Sequence, residues 1–314
     1  MNIYVKKAHD TLNEVNKVIL GKQGEIKEIM AAFLSNGHIL LEDIPGVGKT
    51  TLALAFSRAM DLSYRRVQFT PDVMPSDLTG FSIYRREEDR FVYLKGSVFC
   101  NLLLADELNR TSPKTQSALL EVMEERKVTA EGVTRDVPSP FLVIATQNPF
   151  GNAGTQMLPE AQVDRFTASL SIGYPDYENE LMLAKSVTDQ NRLDSVGTVL
   201  NTDILLHMQK DVHNMFISDD VYRYILNLIL ETRRHPYIER GASPRATIAL
   251  VKMSKAYAWL DGKTFVTPGD VYSQFPYVVA HRLILNSQAR MQRISKYDVI
   301  SQILSNVKRP SLGE

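Results

Sequence analysis

Apolar positions along the chain fall into two regimes. Up to about Ile172, short unbroken apolar runs alternate with helical periodicity, and beyond Tyr174-Pro175-Asp176 only the helical period persists. Ile39-Leu40-Leu41, Leu102-Leu103-Leu104-Ala105 and Phe141 to Ala145 have strand length and are apolar at every position, the pattern of strands buried on both faces. Arg65 to Phe69 and Thr167 to Ile172 predict two more strands. Ahead of the first strand, Leu12, Val15, Val18 and Ile19 and then Ile26, Ile29, Met30 and Phe33 predict two helices, broken at Leu20-Gly21. Hairpins are expected at Ser82 to Leu94, around the charged run Arg85 to Arg90, and at Val128 to Asp136, around Glu131-Gly132. Five helices are expected in the second half: Leu181 to Val187, Thr202 to Met208, Asp219 to Glu231, Ser243 to Leu260 and Pro268 to His281. The expectation is an α/β domain over residues 1–175 and an all-α domain over 176–314.

Composition narrows the function classes. The chain has 314 residues, 44% of them hydrophobic, enough for a sizeable core. With 36 basic and 36 acidic side chains, no charge field advertises a nucleic acid or an anionic membrane. A single cysteine, Cys100, excludes an internal disulfide framework and fits a reducing compartment. Its apolar neighbours suit a buried thiol better than a nucleophile. The six histidines show no metal spacing, and no apolar run approaches membrane-spanning length. A cytoplasmic protein is expected.

The candidate chemistry sits where strands end. Pro45-Gly46-Val47-Gly48-Lys49-Thr50-Thr51 follows the first strand and opens a helix, so its backbone N–H groups and the positive helix end converge on one point suited to phosphate. Lys49 would reach the β and γ phosphates, and the Thr50 hydroxyl would sit on Mg²⁺. The strict phosphate-loop pattern has glycine where this chain has Asp43. At the end of the Leu102 run, Asp106 is placed to hold Mg²⁺ and Glu107 to orient and deprotonate an attacking water. Asn148 ends the Phe141 run, where it could contact a γ-phosphate or simply begin an Asn-Pro turn. Arg165 could pair with Asp164 or Glu160, or act as a finger toward transferred charge. Arg245 lies in a first helical turn, where the helix dipole opposes a cation, which points to an external anion ahead of a surface ion pair. Val18, Ile19 and Gly21 read either as a helix end or as a wall for a nucleotide base.

With these stretches placed, the chain resembles the MoxR family of AAA+ ATPases over nearly its whole length. The likeness rests on Pro45 to Thr50, Phe69 to Asp72 with Pro75 to Gly80, Leu104 to Arg110, Pro113 to Glu121, Ala145 to Pro149, Leu158 to Phe166 and Gly241 to Arg245. It implies a P-loop core with a five-stranded parallel sheet in order 5-1-4-3-2, a helical lid, and a ring, usually a hexamer, with ATP between subunits. Lys49 and Thr50 would belong to Walker A, Asp106 and Glu107 to Walker B, Asn148 to sensor 1, Arg165 to the arginine finger and Arg245 to sensor 2. Asp43 matches an acidic variant of the family loop.

The expected activity is hydrolysis of ATP, with Mg²⁺, to remodel or activate a protein partner, often one with a von Willebrand factor A domain. Lys49 and Arg245 would bind phosphates within one subunit, and Arg165 would reach the neighbour's γ-phosphate. Insertions are expected at residues 70–95 and 128–138. A metal-chelatase motor subunit and a nucleic-acid-dependent motor are the alternative readings.

Overall fold

The computed structural model describes residues 2–44, 46–148, 157–185 and 192–311. Its centre is one parallel sheet of β1 (Ile39–Glu42), β2 (Tyr64–Gln68), β3 (Leu102–Asp106), β4 (Leu142–Gln147) and β5 (Ala168–Leu170). They are ordered β2-β3-β4-β1-β5, which is the expected 5-1-4-3-2 read from the other edge. Strand side chains alternate between faces. Leu41, Leu102, Leu104, Leu142 and Ile144 join one core, and Leu40, Leu103, Ala105, Val143 and Ala145 the other.

The first core runs without a break from the sheet through the N-terminal helices Ile3–Asn16 and Gln23–Leu34 into the C-terminal helices, where Leu250, Phe275 and Ile303 are fully buried. The second core holds the helix Pro113–Glu125 and the short helix Pro75–Thr79. Two hairpins, Gly80–Arg85 with Arg90–Lys95 and Lys127–Ala130 with Val133–Asp136, lie beside each other. They touch where the Ser82 N–H donates to Glu131 Oε1 at 3.0 Å and where Arg135 stacks 3.7 Å from the Tyr93 ring centroid.

The sheet's two edges are finished differently. β2 at one edge carries exposed Arg65, Arg66 and Gln68, whereas β5 at the other is buried, with the helix Pro268–Val279 packed beside it. β5 stops short of the expected Ile172 because the N–H groups of Ile172 and Gly173 turn to the Asp43 carboxylate instead of extending the ladder to β1.

The C-terminal half carries the helices Tyr177–Lys185, Thr202–His213, Asp219–Thr232, Pro244–Leu260, Pro268–Val279, Ser287–Met291 and Lys296–Asn306. Beyond the all-helical expectation it also carries a ribbon, Ile238–Arg240 against Ile284–Leu285, whose two- and three-residue strands are too short to show a period in sequence. No helix among the described residues is long and apolar enough to cross a membrane.

Candidate active site

A cleft of about 390 Å³ opens where the parallel strands end, the usual ligand position of an open α/β sheet. Gly46, Gly48, Lys49, Thr50, Asp106, Glu107 and Asn148 all line it, so the structure gathers residues that lie over a hundred positions apart. Gly46 and Gly48 have φ near +88° and +87°, a left-handed backbone that glycine adopts without strain, and the helix Lys49–Ala59 starts at once after them. Thr51 occupies the same first turn but does not line the cleft. Pro45 lies outside the described residues, as does Pro149 after Asn148.

Asp43 has a structural task. Its buried carboxylate accepts hydrogen bonds from Ser171 Oγ at 2.6 Å, Ile172 N at 2.8 Å and Gly173 N at 3.0 Å. An acid here therefore moors the loop to the chain leaving β5. Lys49 Nζ donates to the Asp43 and Ile44 carbonyls at 3.0 and 3.1 Å. Burial lowers its pKa, while the charges of Asp43, Asp106 and Glu107 oppose that shift.

The acids are fully engaged. Asp106 accepts from Thr146 Oγ1 at 2.8 Å and pairs with Arg66 Nη2 at 2.7 Å. Glu107 has φ +56°, its N–H donates to Thr146 Oγ1 at 2.8 Å, and its Oε2 accepts from Gln68 at 3.0 Å and Arg110 at 2.6 Å. The donor set suits Mg²⁺. The Thr50 hydroxyl and Asp106 carboxylate are hard oxygens, and Mg²⁺ keeps several waters and substrate oxygens, needing few protein ligands. Among the described residues no group of three His, Cys, Asp or Glu could hold a metal by itself.

Ile19 Cδ1 lies 3.8 Å from where a Gly48 Cβ would stand, and Val18 and Ile19 are buried beside the part-buried Val47, so this segment flanks the phosphate loop. Gly21, at φ +70°, lies against Asn179 of the first lid helix, and a Cβ there would collide with it.

Arg165 and Arg245 occupy a different pocket, which shares no lining residue with the cleft. Arg165 Nη1 is 3.4 Å from Glu124 Oε2, and Arg245 pairs with the other oxygen of the same carboxylate. Arg245, expected to reach the phosphates of its own subunit, thus stands beside the finger candidate, because the lid helix that carries it docks against the end of Pro113–Glu125. The part-buried Asp164 secures the arrangement, accepting from Ser243 Oγ at 2.8 Å and from Arg282 Nε at 2.8 Å. Arg282, with 3% of its side chain exposed, also donates to the carbonyls of Asp164 and Phe166 at 3.1 and 2.6 Å. Sequence reasoning missed Arg66, Gln68, Arg110, Thr146, Glu124 and Arg282. Only the alternation of Arg66 and Gln68 on a strand beside that of Asp106 offered a signal.

Comparison with known proteins agrees with this geometry. Residues 38–168 match the model of the ATPase family associated with various cellular activities (AAA), and residues 230–303 match the AAA lid domain. The chain is 41% identical to the uncharacterized protein YeaC of Bacillus subtilis, covering 95% of this chain and 93% of that one. It is 38% identical to chaperone MoxR1 of Mycobacterium tuberculosis, covering 96% and 81% respectively. A crystal structure of a Cytophaga hutchinsonii protein, 38% identical, superposes with a TM-score of 0.92 over 98% of this chain and 96% of that one. A P-loop sheet, a helical lid and these relatives place the chain in the MoxR family of AAA+ ATPases.

Proposed function

We propose that this ATPase turns over ATP at cleft sites completed by a neighbouring copy, in a ring of six as the family likeness implies, and uses the cycle to remodel a protein partner. A partner carrying a von Willebrand factor A domain and a cytoplasmic setting belong to the same proposal, as does the division into residues 1–175 and 176–314. One observation carries the assembly: the cleft holds Lys49, Thr50, Asp106, Glu107 and Asn148, whereas Arg165 and Arg245 stand together in a separate pocket. The cleft's own arginine, Arg66, is tied to Asp106; a finger arginine speeds phosphoryl transfer by orders of magnitude, and a neighbour can supply both guanidinium groups at once.

In the proposed mechanism the glycine loop and Lys49 hold the β and γ phosphates, and Thr50 and Asp106 would hold Mg²⁺. The bound ion would neutralise charge on the β and γ oxygens. Glu107 accepts a proton from the attacking water as the water oxygen bonds to the γ phosphorus. The bond to the bridging oxygen breaks, its electron pair leaving on ADP. Asn148 orients the water or γ-phosphate, Arg165 and Arg245 of the neighbour stabilise charge on the transferred group, and Val18, Ile19 and Gly21 border the base.

Mixing inactive variants tests the assignment. Lys49→Ala with Arg165→Ala should recover part of the ATPase rate, because some interfaces then contain neither defect. Lys49→Ala with Arg245→Ala should do the same, and Arg165→Ala with Arg245→Ala should recover nothing. The reverse result for the last two mixtures would return Arg245 to its own subunit's site. Failure of all three would rule out a shared site.

A further inference from the structure

The carboxylate assigned to Mg²⁺ already has a cation on it. Asp106, 9% exposed, gives Oδ1 to the Thr146 hydroxyl and Oδ2 to Arg66 Nη2 at 2.7 Å. The register explains why. β2 and β3 pair in parallel with Gln68 opposite Asp106 and Arg66 opposite Leu104, and residues two apart share a face, so Arg66 and Gln68 project together toward the acids. Arg66 Nη2 also donates to Gln68 Oε1 at 2.8 Å, Gln68 Nε2 to Glu107 Oε2 at 3.0 Å, and Arg110 Nη1 to that same oxygen at 2.6 Å. The cleft is therefore bordered by one continuous chain, Thr146 to Asp106 to Arg66 to Gln68 to Glu107 to Arg110. β2 is the sheet's edge strand and 44% of the Arg66 side chain is exposed, so the guanidinium has somewhere to go when displaced.

We propose that Arg66 is the resident counter-ion of Asp106 and sets the Mg²⁺ concentration at which the cleft loads nucleotide. The inference rests on the assignment of Asp106 to Mg²⁺. An incoming divalent ion, directly or through its water shell, competes with the guanidinium for Oδ2, since a carboxylate neutralised at contact distance attracts a second cation less. Once displaced, Arg66 releases Gln68, and through it one of the two bonds on Glu107. Loading of the metal site is thereby coupled to freeing the residue that takes the water's proton.

The test is binding of a fluorescent ADP analogue to the full chain across a range of Mg²⁺ concentrations, which requires no turnover. Arg66→Ala should lower the half-saturating Mg²⁺ concentration by on the order of fivefold, the scale of a half-exposed ion pair. Arg66→Lys, which keeps the charge but loses the planar guanidinium whose Nη2 bonds both Asp106 and Gln68, should lower it by less. Asp106→Asn separates the two layers of inference. If that variant keeps the Mg²⁺ dependence of the original chain, the metal assignment itself falls. If it flattens the dependence while Arg66→Ala matches the original chain or needs more Mg²⁺, the metal assignment stands and the role of Arg66 is overturned.

Discussion

The cleft and the arginine pocket use the same materials, guanidinium and ammonium groups on carboxylates, but are assembled by different means. Every described residue of the cleft comes from β1 to β4, the turns that follow them, or the first turn of the helix Lys49–Ala59, so forming the sheet and that one helix forms the site. The arginine pocket joins Glu124 to Arg245 across 121 positions and exists only because the lid docks on the core. In the cleft, function and stability are separable, whereas in the pocket Asp164 and Arg282 tie the placement of the arginines to the packing beneath them.

The largest effect should come from removing the guanidinium assigned to the transferred phosphate, whose ion pair with the exposed Glu124 carries little stability. Arg165→Ala should lower kcat by on the order of a thousandfold while leaving the melting temperature nearly unchanged, measured by phosphate release and calorimetry. A rate close to the original would take Arg165 out of catalysis. Glu107→Gln should lower kcat by about 100-fold or more and still bind nucleotide.

Next in size is the seam itself. Arg282→Ala leaves the part-buried Asp164 without its cation and the Asp164 and Phe166 carbonyls without a donor, and should cost about 3 kcal/mol of stability, visible as an earlier denaturation midpoint, and should cut ATPase activity as well. Loss of activity without loss of stability would mean that the pocket is as separable as the cleft.

A third effect sharpens the role of lid docking. Glu28, on an N-terminal helix beside Gln274 of the lid, has its carboxyl pushed up to about 7 by burial. Between its ordinary range and pH 7 the folded chain keeps a proton that the unfolded chain has released. Stability therefore falls as pH rises through that window, by up to about 3 kcal/mol. Glu28→Gln should flatten that slope and raise the melting temperature at pH 8; an unchanged slope would show that Glu28 is not its source.

The smallest effect is expected at Glu124, 41% exposed. Glu124→Gln should change stability by less than about 1 kcal/mol, as measured by denaturant unfolding.

The same contrast explains what was legible in the sequence. Runs such as Leu102 to Ala105 announce buried strands, and glycines before Lys49 announce a phosphate loop, because the physics is local to a few residues. Arg66 on Asp106 requires the register between two strands, which no local pattern encodes. In sequence Arg245 reads as a cation facing an external anion rather than a surface ion pair; in the structure it pairs with Glu124, a contact that depends on how helix Pro244–Leu260 settles against the end of Pro113–Glu125. Asp43 is readable as a departure from the strict pattern and, through the resemblance, as the family's acidic variant; its task shows only in the backbone of Ile172 and Gly173 turned toward it.

The helix Pro113–Glu125 has a mechanical consequence. Its 13 residues make a rod of about 20 Å. Near one end Gln116 grips the Leu108 and Thr111 carbonyls just after Glu107, and near the other Glu124 meets both arginines. A push on the end beside Glu107 cannot be absorbed by bending so short a strut and would arrive at the end that holds both arginines, the one that faces the next copy in the proposed ring. Successive sites around an assembly would then be linked like pistons on a common crank, each stroke setting the timing of its neighbour.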